Sequence, residues 1–75
     1  MEEKVIEIIA KVLQVTVDEI TPDVEIGELD EWDSLHNVAI FAELEKQFEI
    51  KITQEMLVDL ENVEDIISLV KDLKY

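Results

Sequence analysis

Apolar residues recur at helical spacing along this chain, with one long interruption, and that pattern limits what it can fold into. From Glu2 to about Gln14, Val5, Ile6, Ile8, Ile9, Val12 and Leu13 return every three or four residues, while Glu3, Lys4, Glu7, Lys11 and Gln14 gather opposite. That is an amphipathic helix with one face to bury. The period returns in Val38, Ile40, Phe41, Leu44 and Phe48, and again in Val63, Ile66, Ile67, Val70 and Leu73. With one glycine and one proline in 75 residues, the chain lacks the punctuation of a turn-rich sheet. An all-α bundle in a single domain, residues 1–75, is the expectation.

Capping residues set the helix boundaries. Asp33 can accept backbone N–H bonds, and its charge suits a helix start, so the second helix begins at Asp33 or Ser34 and runs to about Phe48. Thr53 caps a short helix over Gln54-Glu55-Met56-Leu57. Asn62 caps the last helix, with Asp65 placed to complete a capping box, and Lys71 and Lys74 near its end offset the carbonyl dipole. The count is three main helices plus one short one. On the second helix, Leu35, Ala39 and Ala42 fall on a strip separate from the Ile40, Phe41 and Leu44 face, so this helix has more apolar surface than one core face needs.

Between Thr16 and Asp33 the period dissolves around Thr21-Pro22-Asp23 and Gly27. Val17, Ile20, Val24, Ile26 and Leu29 are the residues available to pin this segment to the core. Connections of this length rarely persist as bare spacers, so it is functional or partly turn-structured. It is also where acids crowd: Asp18, Glu19, Asp23, Glu25, Glu28, Asp30, Glu31 and Asp33.

Charge excludes some functions. A formal net charge of -14 repels nucleic acid and anionic membrane and steers the chain toward basic protein surfaces. The N-terminus Met1-Glu2-Glu3-Lys4 has no signal-peptide pattern and no apolar run approaches a bilayer span, which makes a cytoplasmic protein the default. Without cysteine there is no disulfide, thiolate nucleophile or soft metal site. The one histidine, His36, makes no zinc site alone, and the order Asp23, Glu25, Gly27 lacks EF-hand ligand spacing, so no metal site is expected. With no glycine-rich cradle and no Ser-His-Asp set, the chain does not read as an enzyme.

One hydroxyl stands out. In Asp30-Glu31-Trp32-Asp33-Ser34-Leu35, Ser34 sits where the acidic connection enters a helix. A serine there has an ordinary explanation as a helix-start residue. It is also accessible, and free N–H groups at a helix start suit a phosphodiester. Any transfer onto it needs a partner enzyme, because His36 is a solvated residue two positions along the helix and points elsewhere.

With this motif stand the acidic connection before it, Phe41-Ala42-Glu43-Leu44-Glu45-Lys46-Gln47-Phe48 after it and the Ile50-Lys51-Ile52 exit. Over nearly its whole length the chain resembles the acyl carrier protein family. In that family an Asp-Ser-Leu tripeptide marks the serine that receives 4'-phosphopantetheine from coenzyme A. The resemblance therefore implies covalent attachment at Ser34, flanked by Asp33 and Leu35, on an acyl-carrier-like four-helix bundle with a long acidic first loop. The arm's terminal thiol then carries an acyl, aminoacyl or related group as a thioester, which answers the missing cysteine. It also implies three kinds of partner: a phosphopantetheinyl transferase, an acyl- or aminoacyl-loading enzyme, and a downstream synthase or transferase with a basic docking patch. A monomer is expected.

Leu35, His36, Ala39, Ala42, Glu43 and Glu45 are the candidate docking residues, the apolar strip sealing contact and the acids guiding approach. Ala39 and Ala42 have the alternative role of permitting close helix packing. Fatty-acid-type carriers usually bear acids where this chain has His36 and Ala39, and a small residue where it has Trp32. Trp-Asp-Ser-Leu-His is more similar to discrete carriers of specialised pathways: polyketide, nonribosomal peptide, surface-polysaccharide or lipid modification. Trp32 has two readings, closing the loop over a small core or contacting the arm. The rival reading of the whole chain is an acidic helical interaction module without a prosthetic group.

Uncompensated like charge opposes compaction. The melting temperature is therefore expected to rise from low salt to added Mg2+ near neutral pH, as followed by circular dichroism. An unchanged value contradicts this.

Overall fold

The computed structural model describes residues 1–75. Helix α1, Glu2–Leu13, buries Val5, Ile8, Ile9 and Leu13 of the face that the spacing marks, together with Ala10, while Ile6 and Val12 are half-buried against the core. Helix α2, Ser34–Phe48, buries Ile40, Phe41, Leu44 and Phe48. Helix α3, Gln54–Val58, is a short helix that fully buries none of its residues. Helix α4, Val63–Lys74, buries Val63, Ile66, Ile67 and Val70. Ile20, Val24 and Trp32 from the first connection complete one apolar cluster of 16 buried residues. No polar side chain is buried in it. No helix is long and apolar enough to cross a membrane.

The caps work through the predicted residues. Asp33, Thr53 and Asn62 accept the N–H groups of His36, Met56 and Asp65 respectively. The box at α4 is displaced by one residue: the Asp65 carboxylate accepts the Glu61 N–H at 2.9 Å instead of the Asn62 N–H. Leu73, in the last turn of α4, is half-buried, not buried.

Two apolar residues expected in the core lie outside it. Val38 is 68% exposed and Val17 is 50% exposed. Val38 follows the helical period, yet it continues the strip of Leu35, which is 75% exposed. Val17 opens a 3-10 turn, Val17–Glu19, whose Thr16 and Glu19 form a reciprocal capping box that the periodicity did not reveal.

The long connection is tied down by the start of α4. The Val63 N–H donates to the Val24 carbonyl at 2.9 Å and the Glu64 N–H to the Pro22 carbonyl at 2.8 Å. These are first-turn donors with no intrahelical partner, so the loop satisfies groups that would otherwise be orphaned. The Ile26 N–H returns a bond to the Glu61 carbonyl at 2.9 Å, completing a short antiparallel pairing of Glu25 with Asn62. Beyond it, Gly27 at φ +85° closes a turn in which the Glu28 N–H donates to the Glu25 carbonyl at 2.9 Å. Glycine suits the third position of such a turn because a side chain there is strained.

Helices α1 and α2 end without glycine. Gln14 at φ 60° and Glu49 at φ 55° take the left-handed conformation. The Val15 and Ile50 N–H groups then reach back to the Ala10 and Glu45 carbonyls, and both apolar side chains pack against the core. That conformation costs a residue with a side chain about 1–2 kcal/mol. Gln14→Gly and Glu49→Gly are therefore each expected to stabilise the fold by about 0.5–1 kcal/mol in urea unfolding, after allowance for glycine's freedom in the unfolded chain. Glu49→Gly gains more, since it also removes an acid from a helix C-terminus. Loss of stability in both variants contradicts this assignment of the helix ends.

Candidate functional site

Ser34 is the first residue of α2 and is exposed. Its place follows from Asp33. The Asp33 Oδ1 accepts the His36 backbone N–H at 2.9 Å and lies 2.7 Å from the His36 Nδ1, while the Asp33 carbonyl accepts the Asn37 N–H at 2.9 Å. The His36 N–H, and secondarily its ring, hold the Asp33 carboxyl below the usual carboxylate range. His36 is therefore not simply a solvated residue: its ring is drawn back onto the cap and is engaged away from the Ser34 hydroxyl. Across the loop, Asp23 is held low by the Thr21 hydroxyl, which donates to it at 2.6 Å, and by its own backbone N–H.

These bonds leave the first turn of α2 open where a phosphodiester needs it. The N–H groups of Ser34 and Leu35 have no backbone acceptor, and the Ser34 hydroxyl takes part in no hydrogen bond within the chain. Ser34 lines a shallow cavity of about 170 Å³ together with Ile26, Gly27, Trp32, Asp33 and Asn37. A reachable hydroxyl, two free N–H donors and an adjoining hollow fit a covalently attached 4'-phosphopantetheine. Ser34 would hold the phosphate and the neighbouring N–H groups would share its charge. The thiol that the arm supplies is chemistry the chain's own side chains lack.

Trp32 is only 3% exposed, and its Nε1–H donates to the Asn37 Oδ1 at 2.9 Å. Of its two readings, closing the loop over the core is the one the packing supports. The indole fixes the last residues of the connection against α2, and with them the position of Asp33.

The candidate docking residues divide. Leu35, Ala39 and Ala42 are exposed on α2, and Val38 joins them. Sequence reasoning missed Val38 by assigning it to the core; its spacing of three from Leu35 was the signal. Glu43 and Glu45 are half-buried and engaged, Glu43 accepting from the Gln47 Nε2 at 2.7 Å and Glu45 from the Ile52 N–H at 2.7 Å. Glu45 thereby ties the entry of α3 to α2. Between these helices lies a cleft of about 230 Å³ whose wall includes Val38, Phe41, Ala42, Ile52 and Leu57. No three His, Asp or Glu side chains converge to hold a metal ion.

Residues 3–70 match the family described as "Phosphopantetheine attachment site". The acyl carrier protein of Syntrophus aciditrophicus is 36% identical over 72 residues, spanning 95% of this chain and 89% of that one. That of Rickettsia bellii is 34% identical over 74 residues, spanning 99% of this chain and 91% of the relative. The fold superposes on the solution structure of holo acyl carrier protein from Geobacter metallireducens with a TM-score of 0.86 at 26% identity, over 96% of this chain and 83% of that one. The chain belongs to the acyl carrier protein family, whose members bear covalently bound 4'-phosphopantetheine and are carriers, not catalysts.

Proposed function

We propose that residues 1–75 form one carrier domain that holds an acyl or related group as a thioester on phosphopantetheine attached to Ser34 and delivers it to partner enzymes. The observation that carries this reading is the Ser34 hydroxyl: exposed, unbonded and at the entrance of α2, within a chain matched to the attachment family across residues 3–70. A phosphopantetheinyl transferase loads the arm, an acyl- or aminoacyl-loading enzyme charges it, and a synthase or transferase receives the cargo. The carrier acts as a cytoplasmic monomer and binds no nucleic acid, in keeping with a charge of -14.

The partner surface is centred on α2. Leu35, Ala39 and Ala42, extended by Val38, supply the apolar contact, His36 stands beside them, and Glu43 and Glu45 contribute charge. The first turn of α2 carries no acid. Approach to a basic patch is therefore steered chiefly by the acids of the preceding connection. This arrangement, with Trp32 before the motif, supports a discrete carrier of a specialised pathway, in polyketide, nonribosomal peptide, surface-polysaccharide or lipid-related biosynthesis, over a housekeeping fatty-acid carrier.

The cleft between α2 and α3 supports partial burial of an aliphatic cargo, since α3 is anchored by half-buried side chains alone. Incubated with coenzyme A and a broad-specificity transferase, the wild type is expected to gain the mass of one phosphopantetheine and Ser34→Ala none. No gain by the wild type favours the acidic interaction module. Loading acyl chains of increasing length onto the arm is expected to raise the melting temperature stepwise. A temperature independent of chain length argues for a short or polar cargo outside the cleft.

A further inference from the structure

Asn37 touches both cavities of the site. It lines the hollow around Ser34 and also the cleft between α2 and α3. It lies three residues after Ser34, so the two side chains share one side of the helix. Its amide is oriented by a neighbour whose chemistry allows one choice. The Trp32 Nε1–H is a donor only, and it meets Asn37 at 2.9 Å, so the amide oxygen must face the indole. The amide NH2 is then directed away from Trp32 and donates to no acceptor within the chain. Asn37 is half-buried, and no buried polar side-chain atom is left without a partner, so this NH2 is open to solvent. It is a pair of neutral donors in a hollow that also holds the Asp33 carboxylate, and among the side chains lining that hollow it is the one N–H donor not already committed, since the Trp32 indole is bonded to the Asn37 oxygen.

We infer that Asn37, with its amide oriented by the Trp32 indole, is the first side chain to hydrogen-bond the prosthetic arm, donating to an oxygen of the arm's proximal half and directing it from Ser34 into the cleft between α2 and α3. The inference rests on the carrier reading above and adds a positioning residue to it. Trp32 thus has a second effect beyond filling the core: it decides which end of the Asn37 amide the arm meets. Asn37→Asp isolates that effect. The carboxylate still accepts the indole N–H but offers the arm a negative charge and no donor.

The test is nuclear magnetic resonance of the apo and holo proteins, with the arm labelled with nitrogen-15 in the holo form. In the wild type, the Asn37 side-chain NH2 resonances and the Trp32 indole resonance are expected to shift when the arm is attached, while the side-chain amide of the exposed Gln14 does not. The arm amides should show order parameters above about 0.6 in the wild type and below about 0.6, the flexible range, in Asn37→Asp. Order parameters are compared on protein whose mass shows the arm attached. An unmoved Asn37 NH2, or arms equally mobile in the two proteins, overturns the inference. The apo-to-holo comparison in the wild type decides the matter even if the variant folds poorly. Failure of the wild type to accept any arm is a different outcome, which refutes the carrier reading itself.

Discussion

The structure depends on a backbone exchange between the long connection and the start of α4. Two N–H groups at the head of α4, from Val63 and Glu64, would be orphaned by the helix, and the connection supplies the Val24 and Pro22 carbonyls to receive them. Each side satisfies groups that the other would leave open, so an irregular segment persists in a domain with few residues to spare for a core. Ile20, Val24 and Trp32 then anchor the segment by apolar burial. The connection arrives at α2 fixed in position, and Asp33 can act as a cap at a defined place.

The proposed function follows from what that cap leaves undone. Asp33 takes the N–H of His36 through its side chain and that of Asn37 through its carbonyl, so Ser34 and Leu35 retain free donors and Ser34 a free hydroxyl. A serine that capped the helix itself would have its oxygen committed to the backbone. Assigning the cap to the neighbouring aspartate releases the serine. The same division applies to α2 as a whole, where Ile40, Phe41, Leu44 and Phe48 secure the helix while Leu35, Val38, Ala39 and Ala42 remain outside.

Much of this was legible in the sequence because it is written in local chemistry. Periodicity marks the buried face of α1, and Asp33, Thr53 and Asn62 are caps by residue type. Val38 was misassigned because apolar character at helical spacing does not distinguish a core face from an exposed strip, and Val17, in the connection where the period dissolves, because apolar character alone does not say which loop residues reach the core; only the packing of the other elements does that. The 3-10 turn at Val17–Glu19 is too short for periodicity to reveal, and its box is closed by Thr16 and Glu19. The docking of Val24 and Pro22 onto α4 is a long-range backbone contact with no signature in residue type. The pairing of Trp32 with Asn37, and of His36 with Asp33, depends on side-chain directions at the helix entrance, which spacing alone left open.

At the centre stands the proposal that Ser34, at the entrance of α2, is the one hydroxyl that receives the arm. The chain has a second serine, Ser68, exposed on α4 and flanked by Ile67 and Leu69. Fragmentation of the intact protein isolated from its own cells, with no transferase added, locates the modification directly. The account predicts phosphopantetheine on the fragment containing Ser34 and none on that containing Ser68. An arm on Ser68, or on neither serine, contradicts it.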